Sequence, residues 1–200
     1  MENIIIINAS PRAPQSNSKK YAEIFSKHSR LQTEYFELNK RNQDELINKI
    51  EEYSQLLFVF PLYADGLPAP FLDFLKMLER ALLKHKPIVS ILINCGFIEH
   101  SQNDIAVEMI KLFCNQNEYI FGSVLKIGAG EAILETPFKK LVEWKIKKLA
   151  SSICTQEYKT LEVSMPISKK TYISKSTEYW VKYGQKYNVS KEEMESMKIE

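Results

Sequence analysis

Ile4, Ile5, Ile6 and Ile7 form a β-branched run with no polar interruption, the pattern of a strand covered on both faces in a parallel sheet. That run predicts a strand over residues 3–8, and comparable segments predict strands near 33–38, 55–60, 87–94 and 119–127. Between them, helical patterning predicts helices near 17–29, 43–53, 69–84, 102–117 and 137–153. Five strand–helix pairs with short connections imply right-handed crossovers and an α/β, doubly wound, five-stranded parallel sheet with helices on both faces. The expected strand order is 2-1-3-4-5, which puts ligands at the carboxyl ends of strands one, three and four.

The alternation breaks after about residue 155, so the core is read as residues 1–155 and the rest, 156–200, as a C-terminal extension. Within it, Tyr158 to Met165 suits one more strand, and Ser176 to Tyr187 reads as an aromatic helix. Ser190 and Glu193 are spaced as a capping box for a last helix. Tyr172, Tyr179, Trp180, Tyr183 and Tyr187 are too many aromatics for a free tail. The extension is therefore expected to pack on the domain or on a second subunit, which makes a homodimer the expected assembly.

The chain has 200 residues, enough for one domain, and 44% apolar content suffices for a substantial core. A net charge of +2 gives no nucleic-acid footprint. The three cysteines, Cys95, Cys114 and Cys154, lack metal-ligand spacing and suit a reducing cytoplasm. Apolar runs are far shorter than a membrane span, and no signal-peptide pattern precedes the first strand. The expectation is a cytoplasmic protein with neither nucleic acid nor membrane as partner.

The chemistry concentrates in the strand-end loops. Asn8-Ala9-Ser10-Pro11-Arg12, followed by Ser16-Asn17-Ser18, leads into a helix for which Asn17 or Ser18 is the expected cap. Free N–H groups and the helix dipole at such a start favour an anion, and Arg12 adds a guanidinium able to grip two phosphate oxygens. The loop has no glycine and so matches neither common nucleotide fingerprint; hydroxyls of Ser10, Ser16 and Ser18 suit one terminal phosphate monoester instead. The same composition also suits an ordinary turn.

After the third strand, Pro61 to Pro70 form a stiff extended loop with a turn expected at Asp65-Gly66, and Tyr63 offers an aromatic face to a flat ring. After the fourth, Asn94-Cys95-Gly96-Phe97 precedes a helix whose expected cap is Ser101 or Asn103; Gly96 permits close approach or a positive φ. Cys95 as a nucleophile would need a base, for which His100 is the nearby candidate, but the expected reading is a small, partly buried strand-end residue, with no role assigned to any histidine. Gly128 and Gly130 suggest a flexible loop after the fifth strand. In the helix that follows, Phe138, Leu141, Val142, Leu149 and Ile153 read as the buried stripe, with lysines on the solvated face.

Taken together, the N-A-S-P-R and S-N-S segments, P-L-Y-A-D-G-L-P and N-C-G-F resemble the flavodoxin-like NAD(P)H-dependent FMN reductase family. The resemblance implies a flavodoxin-like fold and an FMN phosphate held by Ser10, Arg12, Ser16, Asn17 and Ser18. It implies a ribityl chain and isoalloxazine lined by Pro61, Leu62, Tyr63, Ala64 and Asp65, with Asn94, Cys95, Gly96 and Phe97 bordering the ring from the other side. Asn8-Ala9 stands where the family commonly has glycine. The implied activity is hydride transfer from NADH or NADPH to FMN and onward to a small acceptor such as a quinone, flavin, azo or nitro compound. It assigns no catalytic side chain and no metal. An electron-carrying flavodoxin and a flavin-free interaction protein on the same fold are the competing readings.

Overall fold

Six parallel strands in the order β2-β1-β3-β4-β5-β6 form the central sheet of a computed structural model that describes residues 3–196. In chain order the elements are β1 (Asn3–Asn8), α1 (Asn17–His28), β2 (Gln32–Glu37), α2 (Gln43–Ile50), β3 (Gln55–Pro61) and α3 (Ala69–Arg80). They continue with β4 (Ile88–Asn94), α4 (Asp104–Gln116), β5 (Phe121–Ile127), α5 (Lys139–Cys154) and β6 (Thr160–Val163). The expected order is present and is lengthened by one strand: β6 pairs with β5, Val124 facing Thr160 and Ile127 facing Val163.

The alternating side chains of each strand divide the core into two layers. Ile5, Ile7, Leu56, Phe58, Phe60, Ile91 and Ile93 pack against Leu46 and Ile50 of α2, Phe71 and Phe74 of α3, and Ala106 and Ile110 of α4. The remaining helices, α1 and α5, lie together on the other face. Phe58 and Phe60 both meet the Phe71 ring, at centroid distances of 4.8 and 4.9 Å. Burying these rings fixes α3 below the end of β3, and with it the loop between them.

Two element limits and one buried stripe differ from expectation. The chain leaves α3 at Arg80, with Ala81 extended, because residues 81–87 are needed to reach β4; Leu82 is left exposed. In α5 the buried stripe runs through Val142, Ile146, Leu149 and Ile153, while Leu141 faces outward. A 3-10 turn, His100–Asn103, precedes α4, and neither Ser101 nor Asn103 caps it through its side chain.

The chain divides into two compact units, of which the second begins at Pro166. That unit holds α6 (Lys169–Gln185) and α7 (Lys191–Ser196). The aromatic helix starts earlier than Ser176, because Ser168 Oγ accepts from the Thr171 N–H and caps it there. Tyr179 stacks on Tyr183, and Tyr187, just past the helix, is tilted against Tyr183, with Trp180 edge-on to Tyr179 and Tyr183. The expected capping box is formed: Glu193 Oε2 accepts from the Ser190 N–H, and Ser190 Oγ accepts from the Glu193 N–H.

Candidate functional site

Parallel register brings the distinctive loops to one edge. Asn8 lies beside Val59, while Pro61, Asn94 and Ile127 stand level across β3, β4 and β5. The chain therefore leaves all four strands at the same rim of the sheet. A cavity of about 220 Å³ opens there, lined by Ser10, Pro11, Arg12, Gln15, Ser16, Asn17 and Ser18 from the first loop. Pro61, Leu62 and Tyr63 line it from the second, Asn94, Cys95 and Gly96 from the third, and Glu131 from the loop after β5. Ala64, Asp65 and Phe97 lie outside this lining. Pro11, Gln15 and Glu131 line it without having been singled out from the sequence.

Asn8 explains why the first loop needs no glycine. Fully buried at the end of β1, its side chain accepts from the Ser10 N–H at 3.0 Å and donates to Ser16 Oγ at 3.2 Å and Tyr35 Oη at 2.9 Å. A side chain thus braces the loop from inside. The cap of α1 is Ser16, one residue before the expected pair, and its Oγ accepts from the Lys19 N–H. No acidic residue occupies the first turn of α1, so the helix dipole is unopposed there.

The three serine hydroxyls share one property. Ser10 Oγ accepts from the Arg12 N–H at 3.3 Å, Ser16 Oγ from Lys19 and Asn8, and Ser18 Oγ from Asn94 Nδ2 at 3.3 Å. A hydroxyl has one proton and two lone pairs, so each of these keeps its proton for another acceptor. Among the described residues none of the three donates within the protein. Ser10 and Ser18 are nearly buried, at 4% and 2% exposure, so an unused proton there is aimed at the cavity instead of bulk water. The cluster offers three uncommitted hydroxyl protons, which suit an anion.

Asn17 is placed differently. Its Nδ2 donates to the carbonyls of Gly130 and Glu131 at 3.1 and 3.0 Å, tying α1 to the loop after β5. Its amide protons are committed to those carbonyls. Tyr21 Oη reinforces the tie with a 2.7 Å bond to the Gly130 carbonyl. The loop is accordingly packed, not flexible as its glycines suggest. A Cβ on Gly130 would stand 2.7 Å from Asn94 Cβ, and one on Gly128 would stand 2.8 Å from Ser164 Oγ. The left-handed residue between them is Ala129, with φ 53°.

Two further local expectations change. The turn after β3 centres on Ala64 and Asp65, at φ 47° and 56°, closed by paired bonds between Tyr63 and Gly66. Gly96 has no positive φ; its contribution is open space, since an added Cβ meets nothing nearer than Glu131 Oε2 at 4.0 Å.

Cys95 is a buried strand-end residue, not a nucleophile. Its Sγ accepts from Asn103 Nδ2 at 3.4 Å and lies 3.6 Å from the carbonyls of Phe97 and Glu99. Burial raises its pKa, an effect only partly offset by those hydrogen bonds. His100 pairs elsewhere, with Nε2 3.5 Å from Glu162 Oε2. Glu162 Oε1 in turn holds Lys126 Nζ at 2.7 Å, and Asp104 Oδ1 completes the network at the same distance.

No family model and no curated protein matches the chain. Solved structures do. The FMN-dependent NADH-azoreductase of Bacillus anthracis, in complex with FMN, is similar over 76% of this chain and 99% of its own, with TM-score 0.60 and 15% identity. An NADPH-quinone reductase from P. pentosaceus is similar over 74% of this chain and 97% of its own, with TM-score 0.58 and 14% identity. A flavodoxin from Streptococcus pneumonia TIGR4 covers 76% of this chain and 99% of its own, with TM-score 0.56 and 14% identity. The fold is flavodoxin-like. Among the described residues no helix is long and apolar enough to cross a membrane.

Proposed function

We propose that the chain binds FMN at the carboxyl rim of its sheet and acts as an NAD(P)H-dependent oxidoreductase that passes electrons to a small acceptor. The observation that carries this reading is the serine cluster: Ser10, Ser16 and Ser18 each accept a hydrogen bond from the protein and keep an uncommitted proton, beside Arg12 and the start of α1. Such free protons beside a guanidinium favour the charged oxygens of a phosphate. A terminal monoester fits the cluster. Reduction of a quinone, azo or nitro compound, or of a free flavin, is the proposed use of the electrons, and the named activities of the similar azoreductase and quinone reductase support it.

When bound, FMN supplies the hydride-accepting ring, and the protein's own residues orient and shield it. Pro61 and Leu62 leave β3 in an extended path whose geometry is fixed by the Leu62 N–H bond to the Asn94 carbonyl at 2.7 Å. Tyr63, half exposed, offers a ring face at the mouth. Gly96 leaves the space that a flat ring needs beside Cys95. Ala64, Asp65 and Phe97 lie outside the cavity lining and belong to the same proposal as neighbours of the bound flavin. No side-chain acid or base is required for hydride transfer itself.

A homodimer belongs to the same proposal, supported by the cluster of Tyr179, Tyr183 and Tyr187 rings. Light scattering that gives only the 23.3 kDa monomer at micromolar concentration would count against it.

The test is direct. FMN titrated into the purified chain should lose fluorescence saturably, and NADH or NADPH mixed with the loaded protein should bleach the flavin absorbance within seconds. Saturable binding with no bleaching by either nucleotide would make the protein an electron carrier. No saturable binding would leave a flavin-free interaction protein.

A further inference from the structure

Arg12 and Glu131 line the cavity from the loops after β1 and β5, and their side chains meet across it, Arg12 Nη1 3.6 Å from Glu131 Oε1. The acid is positioned by its backbone. Asn17 Nδ2 bonds the carbonyls of Gly130 and Glu131, and Gly130 packs so closely on Asn94 that no side chain could fit there. From that anchored position the other carboxylate oxygen, Oε2, reaches over Gly96. A negative charge is thus built into a cavity that also presents the Arg12 guanidinium and three serine hydroxyl protons. Carboxylate and phosphate both offer paired oxygens to a guanidinium, so Glu131 and a phosphate have the same claim on Arg12.

We infer that Glu131 is an internal counter-ion, which competes with the ligand's phosphate for Arg12 and so sets how tightly a phosphate monoester is held. The inference rests on the FMN reading above. In the structure Arg12 is neutralised by Glu131. A phosphate seated on Ser10, Ser16 and Ser18 takes over the guanidinium and leaves Glu131 facing a group of like charge. Both changes reduce affinity. The two side chains are 73% and 54% exposed, so the exchange requires no opening of the fold, and solvent screening keeps its size modest. A flavin without a phosphate makes neither change, and its binding is independent of Glu131.

The test titrates FMN and riboflavin, by flavin fluorescence, into the full-length wild type, E131Q, R12A and the double variant. E131Q should tighten FMN by about two- to fivefold, the scale of an exposed ion pair. Riboflavin should be unaffected, and the gain should shrink in the R12A background. Unchanged or weaker FMN binding by E131Q, or an equal gain for riboflavin, overturns the counter-ion role while leaving the flavin reading intact. If the wild type quenches neither flavin, the flavin reading falls. Inorganic phosphate then decides the counter-ion role: its protection against thermal unfolding should be greater in E131Q, and equal protection overturns it.

Discussion

The side-chain amide of Asn94, the last residue of β4, donates to Ser18 Oγ at 3.3 Å and to the Phe60 carbonyl at 3.2 Å. One buried amide therefore fixes the orientation of a cavity hydroxyl and satisfies a buried backbone acceptor of β3. Asn94→Ala would release both. The Phe60 carbonyl keeps the ladder bond of the Pro61–Asn94 pairing, so the loss should be that of ordinary hydrogen bonds, about 0.5–1.5 kcal/mol, which urea denaturation should read as a lower midpoint at unchanged slope. The Ser18 proton, no longer directed, should then serve the ligand less well, and FMN affinity should fall beyond what the stability loss explains. Full FMN affinity in Asn94→Ala would remove Ser18 from the anion cradle.

Gly130 and Gly96 make opposite predictions, although both border the cavity. A methyl group on Gly130 would meet Asn94 Cβ at 2.7 Å and Asn94 Oδ1 at 2.9 Å, against a side chain that is itself buried. Gly130→Ala should destabilise by about 1–3 kcal/mol, as overpacking does, and weaken FMN by displacing Asn94. On Gly96 the nearest atom is 4.0 Å away and the backbone is not left-handed. Gly96→Ala should stay within about 0.5 kcal/mol of wild type in stability. If it nevertheless weakens FMN strongly, the space over Gly96 belongs to the flavin.

Thiol reactivity separates the three cysteines. Burial pushes Cys114 up to about 12 and raises Cys95 as well, and both are almost fully covered. Cys154 at the end of α5 is partly exposed. Native protein treated with an aromatic disulfide near neutral pH should therefore modify Cys154 first, and the other two only on unfolding. Rapid modification of Cys95 in the folded protein, mapped by peptide mass spectrometry, would contradict its placement as an inert strand-end residue.

The apolar runs were sufficient to place β1, β3 and β4, because a strand buried on both faces leaves an uninterrupted hydrophobic signature. The loops at their ends followed, and most of the cavity lining comes from them. What the chain does not display along its length is the contribution of β5: Asn17 meets Gly130 and Glu131 from 113 and 114 residues away, and no local pattern marks a neighbour across the sheet. The same limit applies to Asn8. Its three bonds replace the conformational freedom a glycine would give, and only its partners Ser10, Ser16 and Tyr35 reveal it. Glycine composition also misled at Gly128 and Gly130, where the residues are small for packing, not for motion.

Acid should weaken the fold partly through Glu162, and the sign follows from its partner. The Lys126 hydrogen bond, with His100 assisting, holds the Glu162 carboxyl below its ordinary value of 4.5 despite partial burial. For Lys126, burial alone would lower the pKa, but the bonds to Asp104 and Glu162 outweigh it and the net shift is upward. A lowered carboxyl contributes stability above its unfolded value and loses it as pH falls through the folded value; a raised lysine contributes below its unfolded value and loses it only in alkali. The pair is therefore at full strength around neutrality. Glu162→Gln should be less stable than wild type from about pH 6 to pH 8, by less than about 1 kcal/mol, because the carboxylate is 43% exposed. The gap should begin to narrow below about pH 4.5 and close only as pH falls through the lowered folded-state value of the wild-type carboxyl. Urea denaturation of both proteins across that range measures the gap directly. A gap that persists or widens at low pH would show that Glu162 acts through packing, not through its charge on Lys126.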